Sequence, residues 1–261
     1  MNVLVTGSAN GIGKAVCEYL INKDINVYAI DIKETNIDKV NNYIVDVTNI
    51  NQLQNLYNKF KNDNIIFDAI INIAGIFIID SFIEVNDESL KKIFDVNLFG
   101  AINVNKVFLS LLKEKGRIVI TSSEVAPLDP LPFNGIYSVT KTAVDAYAQA
   151  LRQELNLLGY KVITIRPGAF NTNLSNGSLV QTKELMEKTE LYNKQSKKFY
   201  DLVRKFMGTP KDVSKVVKTY YKAITKKKPK IIYRKNTNKL LKLMSILPKK
   251  MQCFIIKKLL K

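Results

Sequence analysis

Tyr137 and Lys141 stand four residues apart in Tyr137-Ser138-Val139-Thr140-Lys141. In a helix that spacing puts a phenol and an ammonium on one face. Free tyrosine titrates near pKa 10, and a nearby cation favours the phenolate. Lowering that pKa by about three units needs roughly 4 kcal/mol of differential interaction. A phenol tuned in this way could move a proton to or from an alcohol or carbonyl oxygen near neutral pH. The composition leaves few other means. The 261 residues contain no histidine and two cysteines, Cys17 and Cys253. A serine–histidine–acid triad, a histidine-ligated zinc site and a disulfide scaffold are thereby excluded. Acid–base chemistry falls to Tyr, Lys, Asp, Glu or Cys.

A second constellation lies near the start. The apolar run from Val3 leads into Thr6-Gly7-Ser8-Ala9-Asn10-Gly11-Ile12-Gly13, where a helix is expected to begin. Glycines let the backbone turn sharply and approach a pyrophosphate, and a helix N-terminus offers free N–H groups and positive dipole. Gly7, Asn10, Gly11, Ile12 and Gly13 are therefore candidate dinucleotide contacts. Asp31 ends the next apolar run, where a carboxylate accepts from ribose hydroxyls and repels a 2′-phosphate. No Lys or Arg stands in Ser8–Asn10 to hold that phosphate. NAD is the expected cofactor, although nearby Lys33 leaves NADP open.

These residues need elements to hold them. Short β-branched runs fall at Val3–Thr6, Val27–Asp31, Tyr43–Val47, Phe67–Ile73, Arg117–Thr121, Val162–Arg166 and Ile231–Tyr233. Most are continuously apolar, as in strands buried on both faces. Helical patterns alternate with them near 11–23, 49–62, 87–113, 136–158 and 210–225. The alternation predicts an α/β fold, a Rossmann-like doubly wound parallel sheet of about seven strands in a single domain. Residues 1–235 form that domain, and 236–261 a basic C-terminal extension. The stretch 171–209 breaks the alternation, as a substrate loop or lid would. With no leader pattern and no apolar run of spanning length, a cytoplasmic protein is expected.

Taken together these segments resemble the short-chain dehydrogenases/reductases over about residues 1–235. Thr6-Gly7-x-x-x-Gly11-x-Gly13 is similar to that family's glycine motif. Asp46-Val47 resembles its adenine-contacting pair, and Asn72-Ile73-Ala74-Gly75 its segment after strand four. Asn97 resembles the helix asparagine of the catalytic set, Ser122-Ser123 the end of strand five, and Tyr137-x-x-x-Lys141 the family motif. Pro167-Gly168-x-x-x-Thr172 follows strand six as in the family. The resemblance implies hydride transfer between a nicotinamide and an alcohol or ketone. It implies Tyr137 as acid/base, with Ser123, or alternatively Ser122, on the substrate oxygen. Lys141 would support Tyr137 and bond the nicotinamide ribose. Asn97 would hold a water that continues the proton relay. Asn72, Ala74, Gly75, Pro167 and Gly168 would line the cofactor, and Phe170 and Thr172 would meet its carboxamide. Pairing through the helices 87–113 and 136–158 would give a homodimer or homotetramer. A catalytically silent nucleotide-binding regulator is the competing reading.

Charge is segregated. Residues 1–212 carry 24 basic and 23 acidic side chains; residues 213–261 carry 16 basic and none acidic. All but one unit of the formal +17 thus belongs to the last 49 residues. In the tail, Leu240, Leu241, Met244 and Leu247 fit one helical face, and Met251, Phe254, Ile255 and Leu259 another. Such helices could pack on the lid, on a partner subunit, or at the inner face of an anionic membrane with lipid-like substrates. Nucleic acid is disfavoured, because only five of the 40 basic residues are Arg. The apolar residues of 173–209, with no evident carboxylate clamp, favour an uncharged apolar alcohol or ketone as substrate.

Overall fold

The computed structural model describes residues 1–170, 173–206 and 211–261. Seven strands, β1 (Asn2–Thr6), β2 (Asn26–Asp31), β3 (Asn41–Ile44), β4 (Phe67–Asn72), β5 (Leu112–Thr121), β6 (Lys161–Pro167) and β7 (Ile232–Lys235), form one sheet. Their order is β3-β2-β1-β4-β5-β6-β7, and every pairing is parallel. The order reverses direction between β1 and β4, the switch point where ligands bind in open sheets of this kind.

Helices cover both faces. On one side lie α1 (Gly11–Ile21) and α8 (Ser214–Thr225); on the other lie α2 (Ile50–Asn62), α4 (Gly100–Phe108) and α5 (Gly135–Asn156). Successive β1 side chains alternate between these layers. Val3 and Val5 meet Val16, Leu20 and Tyr220, whereas Leu4 joins Leu53, Phe60 and Val104. The unbroken apolar runs follow from this two-sided burial. Phe60 centres the second layer, with Tyr28, Tyr43 and Phe67 edge-on at ring-centroid distances of 5.6, 5.0 and 5.3 Å. Cys17 is buried in the first layer, and burial pushes its thiol up to about 12, so it is a packing residue.

Two expected boundaries move. The third strand runs over Asn41–Ile44 rather than 43–47, which leaves Asp46 and Val47 in the turn before α2. The expected helix 87–113 divides into α3 (Asp87–Phe94), a π-helical turn (Asp95–Phe99), α4 and a 3₁₀ turn (Leu109–Leu111). It gives way to β5 at Leu112, which is buried and pairs with Phe67 across a register shift. Gly100 permits the close approach after the π turn, since a Cβ there would lie 2.6 Å from Val47. Side-chain oxygens of Asn49 and Asn86 accept from the first-turn N–H groups of α2 and α3. The insertion forms α6 (Asn173–Lys188) and α7 (Asn193–Phe206), and the tail forms α9 (Lys239–Ile246) and α10 (Lys249–Leu260). Phe60→Ala should cost about 3–5 kcal/mol, read from urea denaturation, because it opens a cavity under three aromatic rings.

Candidate active site

Strand ends supply the site. Thr6 closes β1, and its Oγ1 accepts the N–H groups of Ile73 and Ala74, both at 3.2 Å. That draws the segment after β4 against the glycine turn. Gly7 has φ +71°, and a Cβ there would lie 2.6 Å from the Ala74 nitrogen. At Gly13 a Cβ would fall 1.8 Å from the Gly7 carbonyl oxygen. Only glycine fits these two places. The turn delivers the chain into α1, whose first turn carries no acidic residue. Its exposed N–H groups and dipole favour an anion there.

Asp31 stands at the end of β2. One carboxylate oxygen accepts from Ala9 N–H at 3.0 Å, the other from Lys33 N–H at 3.1 Å. Each oxygen keeps a lone pair for a hydroxyl donor. A helix N-terminus for phosphate beside a carboxylate for a diol is a donor and acceptor set that fits a dinucleotide. Asp46 is occupied locally, accepting from the Thr48 N–H and hydroxyl at 2.8 Å each, and Val47 is buried against Gly100. The Asn72 amide donates to Asn105 Oδ1 at 2.9 Å, and its own Oδ1 is buried with no partner among the described residues.

The acid–base residues converge beyond β4 and β5. Tyr137 and Lys141 lie on α5, with Lys141 Nζ 5.7 Å from the Tyr137 ring centroid. Lys141 is buried and donates to the Thr121 carbonyl at 3.4 Å. A Cβ on Gly75 would lie 3.1 Å from Asn97 Oδ1 and 3.3 Å from Lys141 Nζ, so this glycine makes room for both. Asn97 sits in the π turn, a distortion often found at functional sites. Its amide donates to the Ile76 carbonyl and to Thr140 Oγ1, each at 3.0 Å, while Oδ1 accepts from Ile76 N–H at 2.7 Å. One lone pair of Oδ1 remains for a water.

The two serines separate. Ser122 is buried and donates to the Lys141 carbonyl at 3.2 Å, whereas the Ser123 hydroxyl lies beside the Tyr137 phenol and favours its ionisation. Of the pair, Ser123 faces the phenol. Behind α5, Arg166 on β6 grips Asp145 through two hydrogen bonds of 2.8 and 2.5 Å, which fixes the helix against the sheet. Pro167 closes β6. The Gly168 N–H donates to the Lys235 carbonyl at 2.8 Å, and a Cβ at Gly168 would clash with Asn236. The Phe170 side chain is buried in the α1–α8 layer. Thr172 lies outside the described residues.

Burial opposes ionisation of both members of the pair. Burial pushes the Tyr137 phenol up to about 12; the Ser123 hydrogen bond partly offsets this, and Glu124 adds to it. Burial also holds the Lys141 ammonium down, to about 8. Desolvation thus dominates at Tyr137 and holds the phenol neutral. Two neighbours are not among the residues singled out from the sequence. Phe77 meets Tyr137 edge-on at 4.8 Å. The Glu124 carboxyl is raised by burial and opposed by the N–H groups of Asn238 and Ala169. A carboxylate directly after Ser122-Ser123 was the available cue for Glu124.

The insertion packs on residues 77–84 and Phe133. Gln181 accepts from Ile79 N–H at 2.8 Å and donates to the Phe77 carbonyl at 2.9 Å. Lys188 pairs with Asp80 at 2.6 Å, and Glu84 accepts from Thr189, Glu190 and Leu191. Leu185 and Phe199 bury against Ile79 and Phe133. Between the loop before α5 and α10 lies a groove of about 460 Å³ lined by Phe82, Leu131, Pro132, Phe133 and Ile256, with Asp80 and Lys257 among its polar residues.

Comparison with known proteins places this arrangement. The family model described as short chain dehydrogenase matches residues 1–183. The chain is 31% identical over 176 residues to a 3-ketodihydrosphingosine reductase of Bacteroides thetaiotaomicron, covering 66% of this chain and 65% of that one. It is 30% identical over 257 residues to estradiol 17-beta-dehydrogenase 2 of Rattus norvegicus, covering 88% and 67%. The chain thus spans about two thirds of the length of these relatives. A solved structure of a short chain dehydrogenase family protein from Francisella tularensis superposes with a TM-score of 0.74 at 25% identity, covering 89% and 96%.

Lys141 makes a signed prediction. Between pH 8 and 10.5 the unfolded chain still binds the proton that folded Lys141 has released, so stability rises with pH across this window. The rise amounts to at most about 3 kcal/mol. Lys141→Met should lack it and should be the more stable protein at pH 7. Urea midpoints of both proteins at pH 7, 8 and 10 check this; parallel curves would refute it.

Proposed function

The chain belongs to the short-chain dehydrogenase family, and on that premise we propose that it is a nicotinamide-dependent oxidoreductase that interconverts an alcohol and a ketone. One observation carries the reading: Ser123, Tyr137 and Lys141 meet beside the glycine turn, with Asn97 holding the segment between them. A silent nucleotide-binding regulator has no use for that arrangement.

In this reading the α1 N-terminus, with Gly7, Asn10, Gly11, Ile12 and Gly13, takes the pyrophosphate. Asp31 takes the adenosine ribose and favours NAD over NADP. Asp46 and Val47 border the adenine, Asn72, Ala74, Gly75, Pro167 and Gly168 complete the cleft, and Phe170 contributes through its backbone. When bound, the nicotinamide supplies the hydride exchange and, when oxidised, a positive ring. Ser123 donates to the substrate oxygen and stabilises charge developing there. Tyr137 takes the hydroxyl proton in oxidation and returns it in reduction. Tyr137, which burial holds high, would be lowered by Lys141 together with the positive charge of a bound oxidised nicotinamide. Lys141 also orients the nicotinamide ribose, and Asn97 holds the water that carries the proton onward.

The substrate is an uncharged, apolar alcohol or ketone. The groove beside Phe82, Leu131 and Phe133 supports this, as do relatives named for 3-ketodihydrosphingosine and estradiol. A homodimer or homotetramer through α4 and α5 accords with the family.

Tyr137→Phe tests the reading directly. It should keep NADH affinity within about threefold while turnover across a panel of apolar ketones falls at least about 10²-fold. Wild-type turnover in the variant would exclude Tyr137 as the acid/base. For the cofactor, fluorescence titration should show NADH binding about tenfold or more tighter than NADPH. Asp31→Asn should narrow that gap by weakening NADH and admitting the 2′-phosphate.

A further inference from the structure

Each C-terminal helix exposes a row of apolar residues; of the expected α9 face, Leu241, Met244 and Leu247 are half-buried and Leu240 is exposed. On α10 the inward positions are Gln252, Ile256 and Leu260, and the buried Gln252 amide donates to Asp129 at 2.7 Å. Its outer face carries Met251 and Phe254, the latter 66% exposed. On α9, Ser245 faces inward and accepts from Asp129 N–H at 3.1 Å. Leu240, Leu243 and Ile246 recur every three residues on the outside, with Ile246 71% exposed. Of the four residues expected to form the α10 apolar face, Met251, Phe254 and Leu259 are exposed and Ile255 is only half-buried. A helix that served only to pack on its own protein would place glutamine outside and phenylalanine inside.

Charge selects what covers this face. Residues 239–261 carry seven lysines and no acidic residue. A second copy laid on the same face would bring seven more positive charges against them. Nucleic acid would meet protruding leucine, isoleucine and phenylalanine where phosphate contacts are needed. Lysines flanking an apolar stripe match an anionic lipid surface, where the stripe enters the acyl boundary and the ammonium groups stay with the headgroups. At about 1.5 Å per residue, helices of 8 and 12 residues measure about 12 and 18 Å, too short to cross a hydrocarbon core of about 30 Å. Among the described residues no helix is long and apolar enough to span.

We propose that α9 and α10 form a docking surface for an anionic lipid bilayer, lying in its interface rather than crossing it. The proposal stands apart from turnover and is tested without a substrate. The full chain is sedimented with phosphatidylcholine vesicles that contain, or lack, about one third phosphatidylglycerol. Binding to the anionic vesicles should be at least about tenfold stronger and should weaken as salt rises. The double variant Ile246→Ser/Phe254→Ser should lose about tenfold or more in binding at unchanged thermal midpoint, since both side chains are exposed. Lys250→Glu/Lys258→Glu, which leaves the apolar stripe intact, should remove the preference for anionic vesicles and serves as the readout should the first variant fold poorly. Equal binding to both vesicle types would overturn the proposal, as would undiminished binding by the variants. Self-association through this face, or duplex DNA binding, without vesicle binding would overturn it too.

Discussion

A parallel sheet covered on both faces has no room for polar chemistry except at the ends of its strands. Val3, Leu4 and Val5 are fully buried, and so are Ile70, Ile71, Val119 and Ile120 on the neighbouring strands. The sheet's own polar contribution to the candidate site therefore comes from each strand's last residue or from the turn that follows it, while Asn97, Tyr137 and Lys141 are brought in by helices. Thr6, Asp31, Thr121, Ser123 and Gly168 are all of this kind. The parallel pairings align these ends along one edge, and the reversal of strand order opens the crevice between β1 and β4. Backbone crowding at Gly7 and Gly13 narrows that crevice to a definite shape.

Inside the crevice, desolvation sets the chemistry. A buried ammonium and a buried phenol are each driven toward neutrality, Lys141 downward and Tyr137 upward. The two groups resist ionisation for the same reason, and a positive charge beside them would favour the phenolate while further opposing the ammonium. Arg166 and Asp145 show the contrasting case on the other side of α5, where two opposite charges meet with bidentate geometry and hold the helix in register.

Much of this was legible in the residues. Continuous apolar runs announced strands buried on both faces, and the glycine spacing marked the turn into α1. The family resemblance was sufficient to single out Asn97, Ser123, Tyr137 and Lys141. What stayed hidden depends on tertiary packing. The π turn at Asp95–Phe99 reads as ordinary helix, and its distortion shows only in the bonds from Asn97 to Ile76 and Thr140. Leu112 looked helical, yet it pairs with Phe67 as strand. The contact of Phe77 with Tyr137 joins residues 60 positions apart, which no local pattern encodes. Helical periodicity identified the apolar residues of α10 correctly; it did not say that those residues would face outward.

The insertion is fastened at one place. Gln181, Lys188 and the Thr189–Leu191 turn all attach to one short strap, residues 77–84, through backbone groups of Phe77 and Ile79 and carboxylates of Asp80 and Glu84. The groove beside Phe82 and Phe133 borders the same strap. Anchor and groove wall are therefore one piece of backbone, and a substitution that displaced the strap would disturb the seat of α6 and the shape of the groove together.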